Sequence, residues 1–324
     1  MLFPEKIEEI DFLAHQLMII FGIIISILGI IGNLLNIRIF SIWSQSYRKT
    51  NLPLYLLASS FANLVVLLYP LLTRILFDGY QYRVTKTNVF ILCQLRYYVL
   101  HTFDLISLSS ICLAIFDRYL ISSRNVYLRE LITTKKQTLI VILSLGFLIG
   151  LHNIPLMIYF GVSKAGRCEI LSIKYSYYYL YVFQMCLHGI FPILFLSIFG
   201  ILTLKQLKIL EEHNRSIHLN SDRQLSRMLL LMSIAIILSS IPNCIEETYA
   251  FIFVDKNQER SSKFFLYHVI SSILFYTNPV TSFYIFYIST PNFRLQLRNL
   301  FCHDQRTNEL CSQSDVPSRK ISNV

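Results

Sequence analysis

Residues 97–119 read YYVLHTFDLISLSSICLAIFDRY, an apolar run broken by Asp104 and closed by the triplet Asp117-Arg118-Tyr119. At about 20 residues per crossing, such a run spans the hydrocarbon of a bilayer as a helix. Cys93 stands 25 residues before Arg118, at the other end of the same span. Six further stretches are nearly free of charge: 17–37, 52–72, 137–162, 175–204, 228–245 and 264–292. Hydrophobic residues make up 54% of the 324 and charged residues 15%, a balance that a soluble domain of this length cannot bury. Lipid is therefore the expected solvent. The runs are continuously apolar, whereas a membrane strand alternates apolar and polar residues, so helices are predicted rather than a barrel. The expected fold is all-α: a seven-transmembrane helix bundle over 17–302, with a short amphipathic helix after the seventh span at 291–301. An N-terminal tail (1–16) and a C-terminal tail (303–324) flank it.

Seven crossings place the two tails on opposite sides. With the N-terminus outside, 18 of the 29 Lys and Arg fall on the cytoplasmic side and 11 on the outer side, as the positive-inside rule requires. Much of the net charge of +10 then faces anionic lipid and an acidic protein partner in the cytosol, and nucleic acid is not needed to explain it. Residues 1–16 are acidic and the first apolar run is too long for an h-region, so a retained anchor is expected rather than a cleaved signal peptide. The one sequon, Asn214-Arg215-Ser216, falls in the third cytoplasmic loop and is expected to stay unglycosylated.

Of seven cysteines, Cys93 and Cys168 are the two in oxidising surroundings and are expected as a disulfide, with two free thiols as the alternative. Cys112, Cys186 and Cys244 read as small apolar filler within helices. Cys302 follows the amphipathic stretch at the inner surface and is a candidate for acylation. His15, His101 and His152 occur singly, without metal-ligand spacing. No phosphate-binding glycine loop, nucleophile elbow or Cys-x-x-Cys pair occurs, so neither an enzyme nor a cofactor is predicted.

Six features in order resemble the rhodopsin-like (class A) G-protein-coupled receptors across nearly the whole chain. They are Gly32-Asn33, Cys93 with Asp117-Arg118-Tyr119, Pro192, Pro242 and Asn278-Pro279. The resemblance implies a plasma-membrane receptor whose coupling and switch residues are Asp117, Arg118, Tyr119, Asn278 and Pro279. It also implies a latch for Arg118 at Asp222, 20 residues before Pro242. Asp222 reads equally as a helix N-cap. Proline removes a backbone donor and bends a helix, so Pro192, Pro242 and Pro279 are expected pivots. The chain departs from the pattern at Asn63, where an Asp is usual and a sodium site is then not expected. It departs again at Ser240 in place of a Trp, and at Ser282 and Gly200 in place of Tyr. The lone Trp43 reads as part of the first loop. A hydrogen-bonded group of Asn63, Ser107 and Asn278 remains available.

Leu100 occupies the position where amine receptors of the family carry an Asp, and Ser272 that of the retinal lysine, which removes both ligand classes. The outer half of the bundle instead offers Asp104, Glu246 and Glu247, with Gln184, His188 and His268 at similar depth. Ionisable groups at membrane depth are costly and mark function. Acid walled by Tyr suits a cationic ligand, such as a peptide carrying Arg, while Glu246 and Glu247 facing water or pairing with nearby Lys and Arg is the bland alternative. The expected activity is peptide-gated activation of a heterotrimeric G protein. An ion or solute transporter, a channel, or a decoy that binds without coupling are the alternatives.

Overall fold

The computed structural model describes residues 2–46, 51–82, 85, 87–123, 125–131, 133–163, 168–213, 217–253 and 261–304. Among them, seven helices are long and apolar enough to cross a bilayer. They are α1 (Leu2–Ser46), α2 (Leu52–Gly79), α3 (Phe90–Ser122), α4 (Lys135–Tyr159), α5 (Ile173–Gln206), α6 (Ile217–Phe253) and α7 (Ser262–Ser289). A further helix, α8 (Pro291–Asp304), follows. The chain is an all-α, multi-pass membrane protein. Between α4 and α5 lies a small antiparallel hairpin, β1 (Phe160–Val162) with β2 (Cys168–Ile170), in which Phe160 faces Ile170 and Val162 faces Cys168.

The helix starts follow local chemistry. Thr134 and Gln137 close a capping box at the head of α4, the Gln137 carboxamide oxygen accepting the Thr134 N–H at 2.8 Å. Ser172 caps α5. Pro53 lies in the first turn of α2, where its missing N–H has no intrahelical partner to lose. Pro70, unlike Pro53, sits inside α2, and the helix widens into π-type turns at Leu67–Leu71. Similar wide turns open α3 at Phe90–Leu95 and run through α5 at Tyr179–Ile190, just before Pro192.

Three expected boundaries move. Residues 2–16 continue α1 rather than forming a separate tail, with Ala14 fully buried against the bundle. Helix α2 runs on to Gly79, past the expected end at 72, and α3 begins at Phe90 rather than 97. Trp43 lies in α1, 7% exposed, not in a loop. It joins Phe40, Phe286 and Phe293 in an aromatic cluster with ring centroids 5.1–6.1 Å apart. Phe293, fully buried, is the tooth by which α8 grips α1 and α7.

Burial is uneven. The most apolar window of α3 is 67% buried and that of α4 only 17%. Helix α3 is thus the central post, and α4 turns Leu139, Ile140, Leu143, Phe147 and Leu148 outward, a surface that only lipid tolerates. Helices α1 and α7 touch closely. A Cβ on Gly32 would stand 2.9 Å from the Cβ of Phe283. The neighbouring Asn33 donates across the gap to the Pro279 carbonyl at 2.8 Å, and Asn36 donates to Ser282 at 3.2 Å. Gly32→Val should push α1 off α7 and lower stability by about 1–3 kcal/mol, as overpacking does. The check is the melting temperature of the purified protein in nanodiscs, and a wild-type value would refute the close approach.

Candidate functional site

Charged side chains gather at two ends of the bundle, and uncharged Asn and Ser side chains lie between them. At the Cys93 end they come from α2, α3, α5, α6 and α7. Cys93 and Cys168 form a disulfide, their Cα atoms 5.7 Å apart, which straps the hairpin to the head of α3. Gln94 donates to the Phe160 carbonyl at 3.1 Å, and Tyr97 stacks on Phe160 with centroids 4.0 Å apart.

Beneath this strap, Arg74 of α2 reaches the Asp78 carboxylate, Nε to Oδ2 2.5 Å, although that N–H is not aimed at the oxygen. Its Nη2 donates to Ser272 of α7 at 2.7 Å and contacts the His268 ring. His268 in turn meets Glu246 of α6, Nδ1 to Oε1 2.8 Å. One continuous network of Asp78, Arg74, His268 and Glu246 therefore ties α2, α7 and α6 together, with Glu246 only 1% exposed. A second pair joins α3 to α5: Asp104 Oδ2 lies 3.3 Å from His188 Nε2. His101 and Tyr179 share a hydrogen bond at 2.9 Å, and Gln184 donates to the same hydroxyl at 3.4 Å.

Two adjoining cavities lie within this layer. The upper is lined by Arg74, Arg96, Tyr97, His101, Tyr179, Gln184, His188, Glu247 and Tyr276 among others. The deeper is lined by Asp104, Leu108, Gln184, His188, Ser240, Asn243 and Asn278. Asp104, Gln184, His188 and Glu247 thus reach a cavity wall, while Glu246 and His268 are held in the network beside it. Ser240 leaves room where a larger side chain would fill the deeper cavity. Ser107 shares its hydroxyl hydrogen bond with Ser59 at 2.8 Å, and Asn278 borders the deeper cavity instead.

Sequence reasoning missed Arg74, Asp78 and Arg96. Spans defined by the absence of charge end at the first charge they meet, so these three read as loop residues. They lie within α2 and α3.

At the Arg118 end, the guanidinium is 3% exposed with Nη2 3.5 Å from Asp117 Oδ2. Tyr119 packs on Phe199 of α5 at 5.3 Å, and Ser122 donates to Gln206 at 2.8 Å, fastening α3 to α5 there. The side chains of Asp222 and Cys302, the loop residue Arg124 and the sequon at 214–216 lie outside the described residues. Among the described residues, no group of three His, Cys, Asp or Glu is placed to hold a metal ion.

No protein-family model matches the chain, and a search of curated proteins finds no match.

Arg74→Gln should cost about 3–5 kcal/mol because it strands the Asp78 carboxylate, and Asp78→Asn in the same chain should recover part of the loss. Thermal unfolding of the two single variants and the double variant measures the coupling. Strictly additive losses would show that the pair does not act as one.

Proposed function

We propose that the chain is a G-protein-coupled receptor of the plasma membrane that binds an extracellular ligand, a peptide foremost, between α3, α5, α6 and α7. It activates a heterotrimeric G protein and performs no covalent chemistry itself. The observation that carries this reading is Arg118. A buried guanidinium at the lipid-water boundary is costly to keep, and it sits at the opposite end of α3 from the cavities. Helix α3 itself and the proline-bearing α6 and α7 each run between those ends. A helix that lacks a backbone hydrogen bond at Pro242 or Pro279 bends there at low cost. Occupation of the cavities by a ligand that prefers one bend shifts the population of the other end.

In this orientation the cavities open outside, the Cys93–Cys168 bond stands in an oxidising medium, and Arg118 faces the cytosol. The coupling surface comprises Arg118, the loop around Arg129 and the basic end of α6 at Arg223 and Arg227. Asp104, Gln184, His188, Glu246, Glu247 and His268 form the ligand-sensing layer, with Glu246 and His268 acting through the network to Arg74.

The reading is tested by guanine-nucleotide exchange on purified G proteins with the receptor in nanodiscs. Basal exchange above that of empty discs is expected, Arg118→Ala should abolish it, and Asp222→Ala should raise it several-fold by freeing the guanidinium. Absence of exchange with every G-protein class, or exchange indifferent to Arg118→Ala, would reject the reading.

A further inference from the structure

Two arginines border the upper cavity, and their surroundings differ. Arg74 is matched by Asp78, Ser272 and His268. Arg96, in the second turn of α3, is 3% exposed, and its Nε is buried without an acceptor. Among the described residues, neither a hydrogen bond nor an ion pair engages its guanidinium. It rests against two rings, 5.4 Å from the centroid of Phe77 and 4.8 Å from that of Tyr97. A cation over aromatic faces gains less than taking the ion from water costs. The rings do not cover that difference. A negative group does.

The acids nearby are already engaged: Asp78 by Arg74, Asp104 by His188 and Glu246 by His268. Glu247 lines the same cavity from α6 and has an interaction of its own. Arg96 is therefore the guanidinium of this cavity that no acid among the described residues engages, and it is a planar fork that suits a planar, singly charged acceptor. A phosphate, with up to two charges, would meet Glu247 across a narrow space and find only one arginine available. The remaining wall near Arg96, Tyr97, Phe275 and Tyr276, is aromatic and suits an apolar side chain beside the charge.

We infer that the upper cavity binds a carboxylate, with Arg96 as its bidentate anchor, presented by the free C-terminus of a peptide or by another organic acid. The assignment deepens the receptor reading and rests on it for its physiological sense. It departs from the expectation of a cationic ligand, because two of the three acids that prompted that expectation, Asp104 and Glu246, stand against histidines within the bundle.

The test uses the full chain purified in nanodiscs and four probes: N-acetylphenylalanine, its C-terminal amide, the α-amide of N-acetylglutamate and benzoate. Binding is read as a shift in melting temperature and by calorimetry. At least one carboxylate probe should bind at millimolar concentration, and N-acetylphenylalanine more tightly than its amide. Preference for N-acetylphenylalanine over the glutamate derivative marks a C-terminal carboxylate, and preference for benzoate marks a small organic acid. Arg96→Gln should weaken the carboxylate probes by at least about tenfold while leaving the amide unchanged. Arg96→Lys, which keeps charge but loses the fork, should fall between. Without any probe, Arg96→Gln should melt at or above the wild-type temperature, since it removes an unmatched buried charge. Equal binding of acid and amide, unchanged carboxylate binding by Arg96→Gln, or failure of all three carboxylates would overturn the assignment. Nucleotide exchange is measured separately: its failure with Arg96-dependent carboxylate binding intact removes only the coupling reading, and the converse removes only the carboxylate site.

Discussion

Hydrocarbon supplies no hydrogen bonds, and that constraint orders this molecule. Every backbone amide within the bilayer must be satisfied inside its own helix, and every polar side chain must find a partner in the bundle or reach an edge. The polar groups accordingly sit in two layers. Asn33, Asn36 and the serines between helices bond to carbonyls and hydroxyls close at hand. The charged groups gather near the two ends of α3, the most buried span: Asp78, Arg74, His268 and Glu246, together with Asp104 and His188, toward the Cys93 end, and Asp117 with Arg118 at the other. Helix α4 carries no such group into the interior and lies at the margin.

The prolines are accommodated under the same rule. A carbonyl four residues before a proline loses its usual donor, and the helix bends there. The carbonyls of Pro242 and Pro279 themselves accept bonds from other helices or positions, from Tyr267 at 3.2 Å and from Asn33 at 2.8 Å. Prolines and cross-links therefore coincide in α6 and α7. A change in either bend must rearrange a bond to a neighbouring helix, so two discrete packings are favoured over a continuum of shapes.

Much of the architecture could be read from the chain because its signal is one of composition. Seven charge-poor runs, a cysteine and an Asp-Arg-Tyr triplet at opposite ends of the third, and an amphipathic stretch after the seventh are all local features, and each corresponds to an element in space. The Cys93–Cys168 bond followed from placing two cysteines on one side of the membrane. The limits of the spans did not follow, because a run that ends at its first charge hides Arg74, Asp78 and Arg96 in what looks like loop. Nor did the matching of charges: Asp104, His188, Glu246 and His268 stand out singly as ionisable groups in apolar surroundings, but which carboxylate meets which imidazole depends on how four helices turn toward one another. The short hairpin and the wide turns of α5 likewise depend on tertiary packing, and Pro70 is the one local clue to the distortion of α2.

The strap formed by the hairpin has a mechanical corollary. It is fixed to α3 by a covalent bond at Cys93, by the Gln94 side chain and by the ring of Tyr97, three successive points along little more than one helical turn. Roof and central post consequently move as one rigid body. Any opening or narrowing of the mouth falls to the opposite rim, where α6 and α7 are each jointed part-way down. A small inward pull on α6 at that rim is then a force on the short arm of a lever, with Pro242 as fulcrum and the longer part of the helix running toward the opposite end of the bundle.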